Sequence, residues 1–371
     1  MHANHVAIFL PSLAGGGAER VVLNLANYWA NRGCKVDMVL VRAHGVYLEQ
    51  LSPKVRVIDL NATRTLNSLF GLVFYLRHNR PHAVLSAMEH ANLIAIWARI
   101  ISGVKTRVAV SVHSSLVNYA QPGASWLSKL LPLLAVRFYK YANVRIAVSK
   151  GVAQELSQLT NNNSVAYAVI YNPITVAEDA LVQSRERLPH PWLDSTDTPV
   201  VLAAGRLSAQ KDYATLLRAF ALIKGKQKAK LMILGEGENR KELVCLTKNL
   251  GIESDVCFLG HVPNPHTYMA SATLFVLSSI YEGFGNVLVE AMACGTPVVS
   301  TDCPHGPSEI LQGGKYGALV PVGDAAALAK AMLQTIQHPI SPEILRARAA
   351  EFSVPAAAQE YWRMLMDAPL Q

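Results

Sequence analysis

The stretch Glu282-Gly-Phe-Gly-Asn-Val-Leu-Val-Glu290 decides the fold of this chain. The apolar run 274–277 before it predicts a buried strand, and residues 286–293 have the composition of a helix. The glycine turn between them leaves backbone N–H groups free at the helix start, where they attract a phosphate. A strand, a glycine turn and a helix in this order predict an α/β fold with a parallel sheet.

Two acids, Glu282 and Glu290, flank this turn. Neither suits a phosphate, because like charges repel, but carboxylates accept hydrogen bonds from neutral hydroxyls such as those of a ribose and a sugar. The stretch therefore predicts a nucleotide sugar as the ligand. The alternative is that both acids are solvated surface residues of an ordinary strand–helix unit.

The alternation of strands and helices extends to both sides of this stretch. Runs rich in Val and Ile predict strands at 6–10, 36–41, 55–60, 83–87, 107–112, 144–149 and 165–171, and then at 200–204, 230–234, 255–259, 274–277, 297–300 and 318–320. We expect two Rossmann-like doubly wound domains, residues 1–175 and 200–355, joined by a polar, proline-containing linker at 176–199. The cleft between two such domains is the expected site.

The composition fits two compact domains in a reducing compartment. Of the 371 residues, 51% are hydrophobic and 16% charged, which argues against disorder. The five cysteines are scattered and form no CxxC pair, so neither a disulfide framework nor a zinc site is predicted. The first residues lack the features of a signal peptide and no apolar run is long enough to span a bilayer, so we expect a cytoplasmic protein.

The net charge of +8 is concentrated in the first half of the chain. Residues 1–187 hold 19 Lys and Arg against nine Asp and Glu, so we expect an anionic partner for this half. Nucleic acid is not expected, because no recognition-helix, RNP or zinc-finger pattern is present. Residues 125–145 mix leucines and aromatic residues with basic ones, which favours an interfacial helix on a membrane surface; a buried core helix is the alternative.

Three further groups of residues follow predicted strands or precede predicted helices. Arg206 and Lys211, on the loop that starts at Gly205, can both reach a diphosphate and neutralise the charge of a departing nucleotide. His113 follows the strand at 107–112, at the edge where ligands bind to parallel sheets. The run Gly15-Gly16-Gly17 opens the first helix, as either a ligand-binding loop or a tight packing turn. No Asp-x-Asp is present, so no metal is predicted.

Together these residues resemble the retaining glycosyltransferases of family 4, which have the two-domain GT-B fold. The resemblance covers nearly the whole chain and rests on five motifs: Gly-Gly-Ala-Glu-Arg at 16–20, Ala-Val-Ser at 147–149, Asn-Pro at 172–173, Gly-Arg-Leu-Ser-Ala-Gln-Lys-Asp at 205–212, and Glu-x7-Glu at 282–290. It implies that the first domain binds the acceptor, that the second binds the donor, and that a C-terminal helix within 356–371 returns to the first domain.

The resemblance also implies roles for the site residues. Arg206 and Lys211 would bind the donor diphosphate, Glu290 the ribose, and Glu282 would lie near the donor sugar. His113 would stand beside the donor sugar and the acceptor. The remaining donor-site residues would act through their backbone: Gly205, Phe284, Gly285, Asn286 and Val287 against sugar and phosphate, with Gly16 and Gly17 closing over the site.

Residues 301–310, which follow the Glu-x7-Glu motif, are similar to a branch of this family that builds bacterial lipopolysaccharide, capsules and lipid-linked oligosaccharides. We therefore expect a hexose or N-acetylhexosamine to pass from a UDP-sugar to a lipid-linked saccharide. We expect retention of configuration, no metal or other cofactor, and a peripheral location at the inner face of the cytoplasmic membrane. The alternatives are a UDP-sugar epimerase of the same fold, a non-catalytic nucleotide-sugar-binding protein, and a Rossmann dehydrogenase, which the lack of a G-x-G-x-x-G fingerprint disfavours.

Overall fold

The chain divides into two units, each with a parallel sheet of its own. The structure, a computed structural model, describes residues 5–115, 134, 136–159, 166–175, 190–193 and 197–367. The first unit comprises Met1–Ile174 and Phe352–Gln371, and the second comprises Thr175–Glu351. The second unit is therefore continuous in sequence, whereas the first is completed by residues from the end of the chain.

The sheet of the first unit has the order β3-β2-β1-β4-β5-β6-β7 among the described residues. Its strands are β1 His5–Leu10, β2 Lys35–Leu40, β3 Arg56–Asp59, β4 Ala83–Ala87, β5 Arg107–Val112, β6 Val144–Ala147 and β7 Ala168–Val169. The helices are α1 Gly17–Asn31, α2 Leu69–Asn79, α3 Glu89–Ser102 and α4 Lys150–Leu159. Every position of β1 and β4 is buried, as expected of strands in a parallel sheet that helices cover on both faces.

The sheet of the second unit has the order β10-β9-β8-β11-β12-β13. Its strands are β8 Val200–Ala204, β9 Lys230–Leu234, β10 Val256–Gly260, β11 Leu274–Leu277, β12 Val298–Thr301 and β13 Ala318–Val320. The helices are α5 Tyr213–Lys224, α6 Arg240–Asn249, α7 Pro265–Ser271, α8 Asn286–Cys294, α9 Pro307–Ile310, α10 Ala325–Gln337 and α11 Pro342–Ala350. All the strand pairs of both sheets are parallel within the described part of the chain.

The last helix, α12 Val354–Met366, packs on α1 in the first unit. Trp29 Nε1 donates to Ala358 O at 3.1 Å, and the Trp29 and Trp362 rings meet edge to face with 5.6 Å between their centroids. Tyr361 is fully buried, and its hydroxyl lies 3.1 Å from Ser111 Oγ at the end of β5. The core of the first unit thus depends on residues separated by more than half of the chain.

Both sheets have a topological switch point, where the strand order reverses. It falls between β1 and β4 in the first unit and between β8 and β11 in the second. In open parallel sheets, ligands bind outside the carboxyl ends of the strands at this point. The loops that follow these four strands are therefore where each unit is expected to bind a ligand.

The predicted fold class, two doubly wound α/β units, is confirmed. Each predicted strand has a counterpart among the described residues, and most ends agree to within one or two residues. The strand predicted at 165–171 is shorter, because only Ala168–Val169 pair with β6, and residue 165 lies outside the described residues.

Two predicted segments are only partly described. Most of the linker at 176–199 lies outside the described residues, and so do residues 125–133 and 135 of the interfacial helix predicted at 125–145. In the described part of that helix, Val136 and Tyr139 are buried, which favours the core alternative for its C-terminal end. Within the described ranges, none of the helices combines the length and apolar character that crossing a bilayer requires.

Candidate active site

An ion pair joins the two loops at the switch point of the second unit. Lys211, on the loop after β8, places its Nζ 2.5 Å from Oε1 of Glu282, on the loop after β11. The two side chains are only 16% and 9% exposed. Because both charges are largely removed from water, loss of either one would leave the other uncompensated, which is strongly destabilising. The sequence predicted a separate contact with the donor for each residue, whereas their pairing with each other became visible only in the structure.

Hydrogen bonds hold both loops in place around this pair. Ser279 Oγ donates to Glu282 Oε1 at 2.6 Å, and Ser278 Oγ donates to Lys211 O at 2.7 Å. The Glu282 amide donates to Pro304 O at 3.1 Å, which ties the loop to the segment after β12. The carboxylate and the ammonium are therefore pre-positioned, since side-chain and backbone groups of the loops after β11 and β12 hold them in place.

Arg206 occupies a different environment from Lys211, although both lie on the loop after β8. Its side chain is 75% exposed, and its Nε lies 3.2 Å from Glu238 Oε2. An exposed pair of this kind contributes little to stability and is easily exchanged for another anion. Arg206 is thus an exposed cation with a weak ion pair, whereas Lys211 is a largely buried cation with a close one.

Gly205 begins this loop with a backbone that favours glycine. Its φ is +150°, and a Cβ there would lie 3.2 Å from both Lys211 Cε and Tyr213 Oη. The Tyr213 hydroxyl is buried and has no hydrogen-bond partner among the described residues. Burial, and then the negative charge of Glu282, raise the pKa of this phenol, which is therefore neutral at pH 7.

The glycine turn after β11 enters α8 as the sequence predicts. Phe284 is buried, and Gly285 precedes the helix with φ +99°. Asn286, Val287 and Glu290 belong to the first turns of α8 and are each partly exposed. Glu290 follows Asn286 by four residues, so the two lie on one face of the helix.

A second glycine fixes the position of this turn. Gly306, after β12, has φ +86°, and a Cβ there would lie 1.8 Å from Phe284 O. The backbone of the segment after β12 therefore packs directly against the turn. Burial, followed by the charge of Glu282, raises the pKa of the neighbouring Cys303 thiol to about 12, so this cysteine is an inert packing residue.

His113 follows β5 in the first unit, at the carboxyl edge of the sheet. Its Nε2 lies 2.9 Å from Ser111 Oγ, which also contacts the Tyr361 hydroxyl on α12. Burial lowers the pKa of His113 to about 4, and the interaction with Asn172 opposes this shift. The imidazole is therefore neutral at pH 7.

A buried acid that the sequence analysis missed lies near His113. Glu89, the first residue of α3, accepts a hydrogen bond from Ser114 Oγ at 2.7 Å. The preceding residue, Met88, has φ +78° and ψ 138°, a conformation that is rare for a residue with a side chain. Such strain is concentrated at functional sites. The signal in the sequence was an acid directly after the strand at 83–87, at the start of a helix.

A carboxylate engages the N–H groups of two of the glycines at the start of α1. Gly15 N and Gly16 N donate to Glu19 Oε2 at 2.7 and 2.5 Å. The residues Gly15, Gly16 and Gly17 are exposed, at the carboxyl end of β1. The carboxylate of Glu19 therefore already caps this helix start, at the place where an anionic ligand would bind.

The predicted residues divide between the carboxyl edges of the two sheets. Gly205, Arg206, Lys211, Glu282, Phe284, Gly285, Asn286, Val287 and Glu290 lie on or beside the loops after β8 and β11, and Gly16, Gly17 and His113 lie after β1 and β5. Across the described ranges, no three His, Cys, Asp or Glu side chains are grouped so as to hold a metal ion.

Comparison with known families gives two matches that together span most of the chain. Residues 15–178 match the model described as Glycosyltransferase Family 4, and residues 184–352 match the model described as Glycosyl transferases group 1. The boundary between the two matches falls near the boundary between the two units of the structure.

Individual relatives agree with these matches. The chain is 30% identical over 336 residues to N-acetylgalactosamine-N,N'-diacetylbacillosaminyl-diphospho-undecaprenol 4-alpha-N-acetylgalactosaminyltransferase of Campylobacter jejuni, with 85% of this chain and 86% of the relative covered. It is 27% identical to the lipopolysaccharide core biosynthesis glycosyltransferase LpsE of Rhizobium meliloti, with 95% and 97% covered.

Solved structures share the fold at lower identity. HepE from Anabaena, solved in complex with UDP, superposes with a TM-score of 0.79 at 22% identity, over 98% of this chain and all of the other. Sucrose-phosphate synthase from Thermosynechococcus elongatus superposes with a TM-score of 0.82 at 21% identity, with 98% of each chain covered. The fold and the paired loops define a GT-B enzyme. The chain belongs to glycosyltransferase family 4 and is a glycosyltransferase.

Proposed function

We propose that this glycosyltransferase moves a hexose or N-acetylhexosamine from a UDP-sugar to a lipid-linked saccharide, in the synthesis of a bacterial cell-surface glycan. The names of its relatives support the pathway, since they include a lipopolysaccharide core enzyme and an enzyme that extends a diphospho-undecaprenol saccharide. The main structural support for the proposal is the Lys211–Glu282 pair at the switch point of the second unit.

The pair suits a UDP-sugar because it offers one cation and one acceptor at the same place. Lys211 can approach a phosphate oxygen while Glu282 accepts a hydrogen bond from a sugar hydroxyl. Glu290, one turn into α8, carries a carboxylate that can accept a hydrogen bond from a ribose hydroxyl, and the start of α8 offers a positive dipole to the phosphates. UDP as the nucleotide is supported by HepE, which was solved with UDP, UDP-glucose, and UDP and glucose together.

We infer that the diphosphate charge is neutralised without a metal. Lys211 and Arg206 supply two positive charges on one loop, and Arg206 can leave Glu238 for the phosphate because that pair is exposed. These cations would stabilise the charge that develops as UDP departs. Activity is accordingly expected to survive removal of divalent cations with EDTA.

Retention of configuration is part of the proposal, and we favour a front-face displacement. The bond between the anomeric carbon and the β-phosphate oxygen breaks as the acceptor oxygen bonds to the same face of that carbon. The released phosphate oxygen takes the proton of the acceptor hydroxyl, so no additional base is required. His113, neutral at pH 7, would orient a hydroxyl by hydrogen bonding in this scheme.

We further propose that the enzyme works at the inner face of the cytoplasmic membrane, because the acceptor carries a lipid. The excess of basic residues in the first half of the chain supports this location, since the cytoplasmic leaflet is anionic. Acceptor and enzyme would then meet on the membrane surface.

UDP release from a panel of UDP-sugars, with and without a bacterial membrane extract, tests the proposed function. Release that requires both the extract and one particular sugar supports the transferase and identifies its donor. Conversion of the UDP-sugar without extract would instead indicate an epimerase, and binding without turnover would indicate a sensor. NMR of the product, read at the new anomeric carbon, checks retention.

A further inference from the structure

An exposed apolar strip begins just before α2 in the first unit and runs along that helix. Leu66, in the 3-10 turn Thr65–Ser68, and Phe70 and Phe74, in α2, recur every four residues, and the two phenylalanines are 75% and 72% exposed. Residues at this spacing lie on one face of a helix, so the three side chains form a continuous strip. Large apolar side chains grouped in this way on a surface mark an interaction site.

The strip is extended by the end of α3. Ile100 and Ile101 are also exposed, at 50% and 46%. Arg77, near the end of α2, donates through Nη2 to Ile101 O at 3.0 Å and through Nε to Ser102 O at 3.2 Å, so the two helices end side by side. The apolar surface therefore spans two adjacent helices.

The charges around this surface are mostly positive, and Asp367, which pairs with Arg107 at 3.3 Å, is an acidic exception. Residues 60–154 contain 11 Lys and Arg and a single acid, the buried Glu89. Arg64 precedes the strip, Arg77 and Arg80 follow it, and all three are exposed. An apolar strip with cations at both ends has the chemistry of a surface that inserts between anionic headgroups.

A basic cavity of about 810 Å³ opens at the end of the strip. Its lining includes Arg77, Arg80, His82, Lys105, Arg107 and Asp367. Arg107 Nε and His82 Nε2 are buried and have no hydrogen-bond partner among the described residues. A buried polar group without a hydrogen-bond partner is unfavourable, so a ligand rich in oxygen atoms would be favoured here.

We propose that the face formed by α2, the end of α3 and this cavity docks the enzyme on a bilayer containing anionic lipids, with the cavity taking a lipid phosphate. The proposal rests on the proposed function, in which the acceptor is carried by a lipid. A second copy of the chain fits this face less well, because a symmetric contact would bring the same cations together. The strip also begins at the carboxyl edge of the sheet, the edge that carries His113.

Co-sedimentation of the full chain with vesicles tests this surface. We expect binding to vesicles of phosphatidylglycerol and phosphatidylcholine, and little binding to phosphatidylcholine alone. The double variant Phe70→Ser/Phe74→Ser and the double variant Arg80→Glu/Lys105→Glu should each reduce the bound fraction at least fivefold. The matched control is Leu222→Ser/Ile344→Ser, which removes two side chains that are 50% and 51% exposed in the second unit and should bind as the wild type does.

Circular dichroism and sedimentation velocity accompany each variant, so that unfolding and self-association are measured separately. Wild-type vesicle binding by both face variants would overturn the proposal. The proposal would also be overturned if the wild type were a dimer and the face variants were monomers that still bind vesicles. The face would then be the contact with a second copy of the chain.

The outcome is separable from that of the proposed function. In one outcome, the wild type releases UDP from a UDP-sugar when a detergent-solubilised extract supplies the acceptor, yet fails to bind vesicles. That result would contradict the docking surface and would still support the transferase. Vesicle binding that depends on the face, in a protein that turns over no UDP-sugar, supports the surface and contradicts the transferase.

Discussion

At the scale of single residues, the Lys211–Glu282 pair places a cation and a hydrogen-bond acceptor side by side in the candidate site. An ammonium and a carboxylate are held 2.5 Å apart in a largely buried position, and a serine hydroxyl completes the carboxylate's contacts. A ligand that brings both a phosphate and a hydroxyl can replace this mutual contact with two new ones. The two charges of the pair thus balance each other, and the pair can exchange its mutual contact for a ligand of mixed character.

The neutral state of His113 gives a pH-dependent contribution to stability. Its pKa is lowered from 6.5 to about 4 by burial, so between these values the unfolded chain binds a proton that the folded protein does not. The contribution is therefore fully present above pH 6.5 and is lost as the pH falls toward 4. At about 1.4 kcal/mol for each pKa unit, the effect is on the order of 3 kcal/mol.

Replacing His113 with a side chain that does not titrate should flatten this dependence. We expect the free energy of unfolding of the wild type to fall more steeply between pH 6.5 and 4.5 than that of His113→Gln. Urea denaturation at several pH values measures the difference. Parallel curves for the two proteins would show that His113 is not held neutral by burial.

At the scale of elements, the strand–turn–helix units were predictable because their signals are local. Buried parallel strands appear as runs of Val and Ile, and glycine marks the turn before α8. The partners of the site residues were not predictable in the same way. The contacts of Lys211 with Glu282, and of Arg206 with Glu238, join loops that only the strand order brings together. Glu89 was missed because its burial depends on neighbouring strands.

The packing of the segment after β12 against the glycine turn leads to a prediction about Gly306. A Cβ at this position would lie 1.8 Å from Phe284 O, so Gly306→Ala must displace the turn that precedes α8. We expect a lower melting temperature and at least a tenfold loss of turnover.

Gly323→Ala is the matched control for that substitution. Gly323 also has a positive φ, +77°, but a Cβ there would meet nothing within 4 Å. Only backbone strain, about 1 kcal/mol, is then expected, with turnover preserved. Equal effects of the two substitutions would show that contact with Phe284 is unimportant.

At the scale of the whole molecule, α12 distinguishes the two units. The first unit needs this helix to cover Trp29, whereas the second unit is one continuous segment. A chain that ends at Glu351 should therefore lose the fold of the first unit and keep that of the second. Hydrogen exchange resolved by mass spectrometry would detect this as loss of protection in β1 and α1, with β8 and β11 still protected. Uniform protection in both units, or loss in both, would contradict the assignment of α12.

The two-unit architecture was predictable from the repeat of the strand–helix alternation on either side of a polar stretch. The location of the proposed docking surface was harder to predict. The sequence drew attention to residues 125–145, whereas the exposed apolar strip among the described residues lies on α2. A helix of mixed composition reveals which face is buried only when its neighbours are known.

The central claim is that the pair at the switch point of the second unit binds and activates a UDP-sugar. Acceptor-dependent UDP release by the wild type and by Lys211→Ala, both verified as folded, tests it most directly, with the exposed Lys241→Ala as the control. We expect Lys211→Ala to lower turnover at least tenfold, because a charge-assisted contact worth more than about 1.4 kcal/mol in the transition state is lost. Wild-type turnover by a folded Lys211→Ala would contradict the claim.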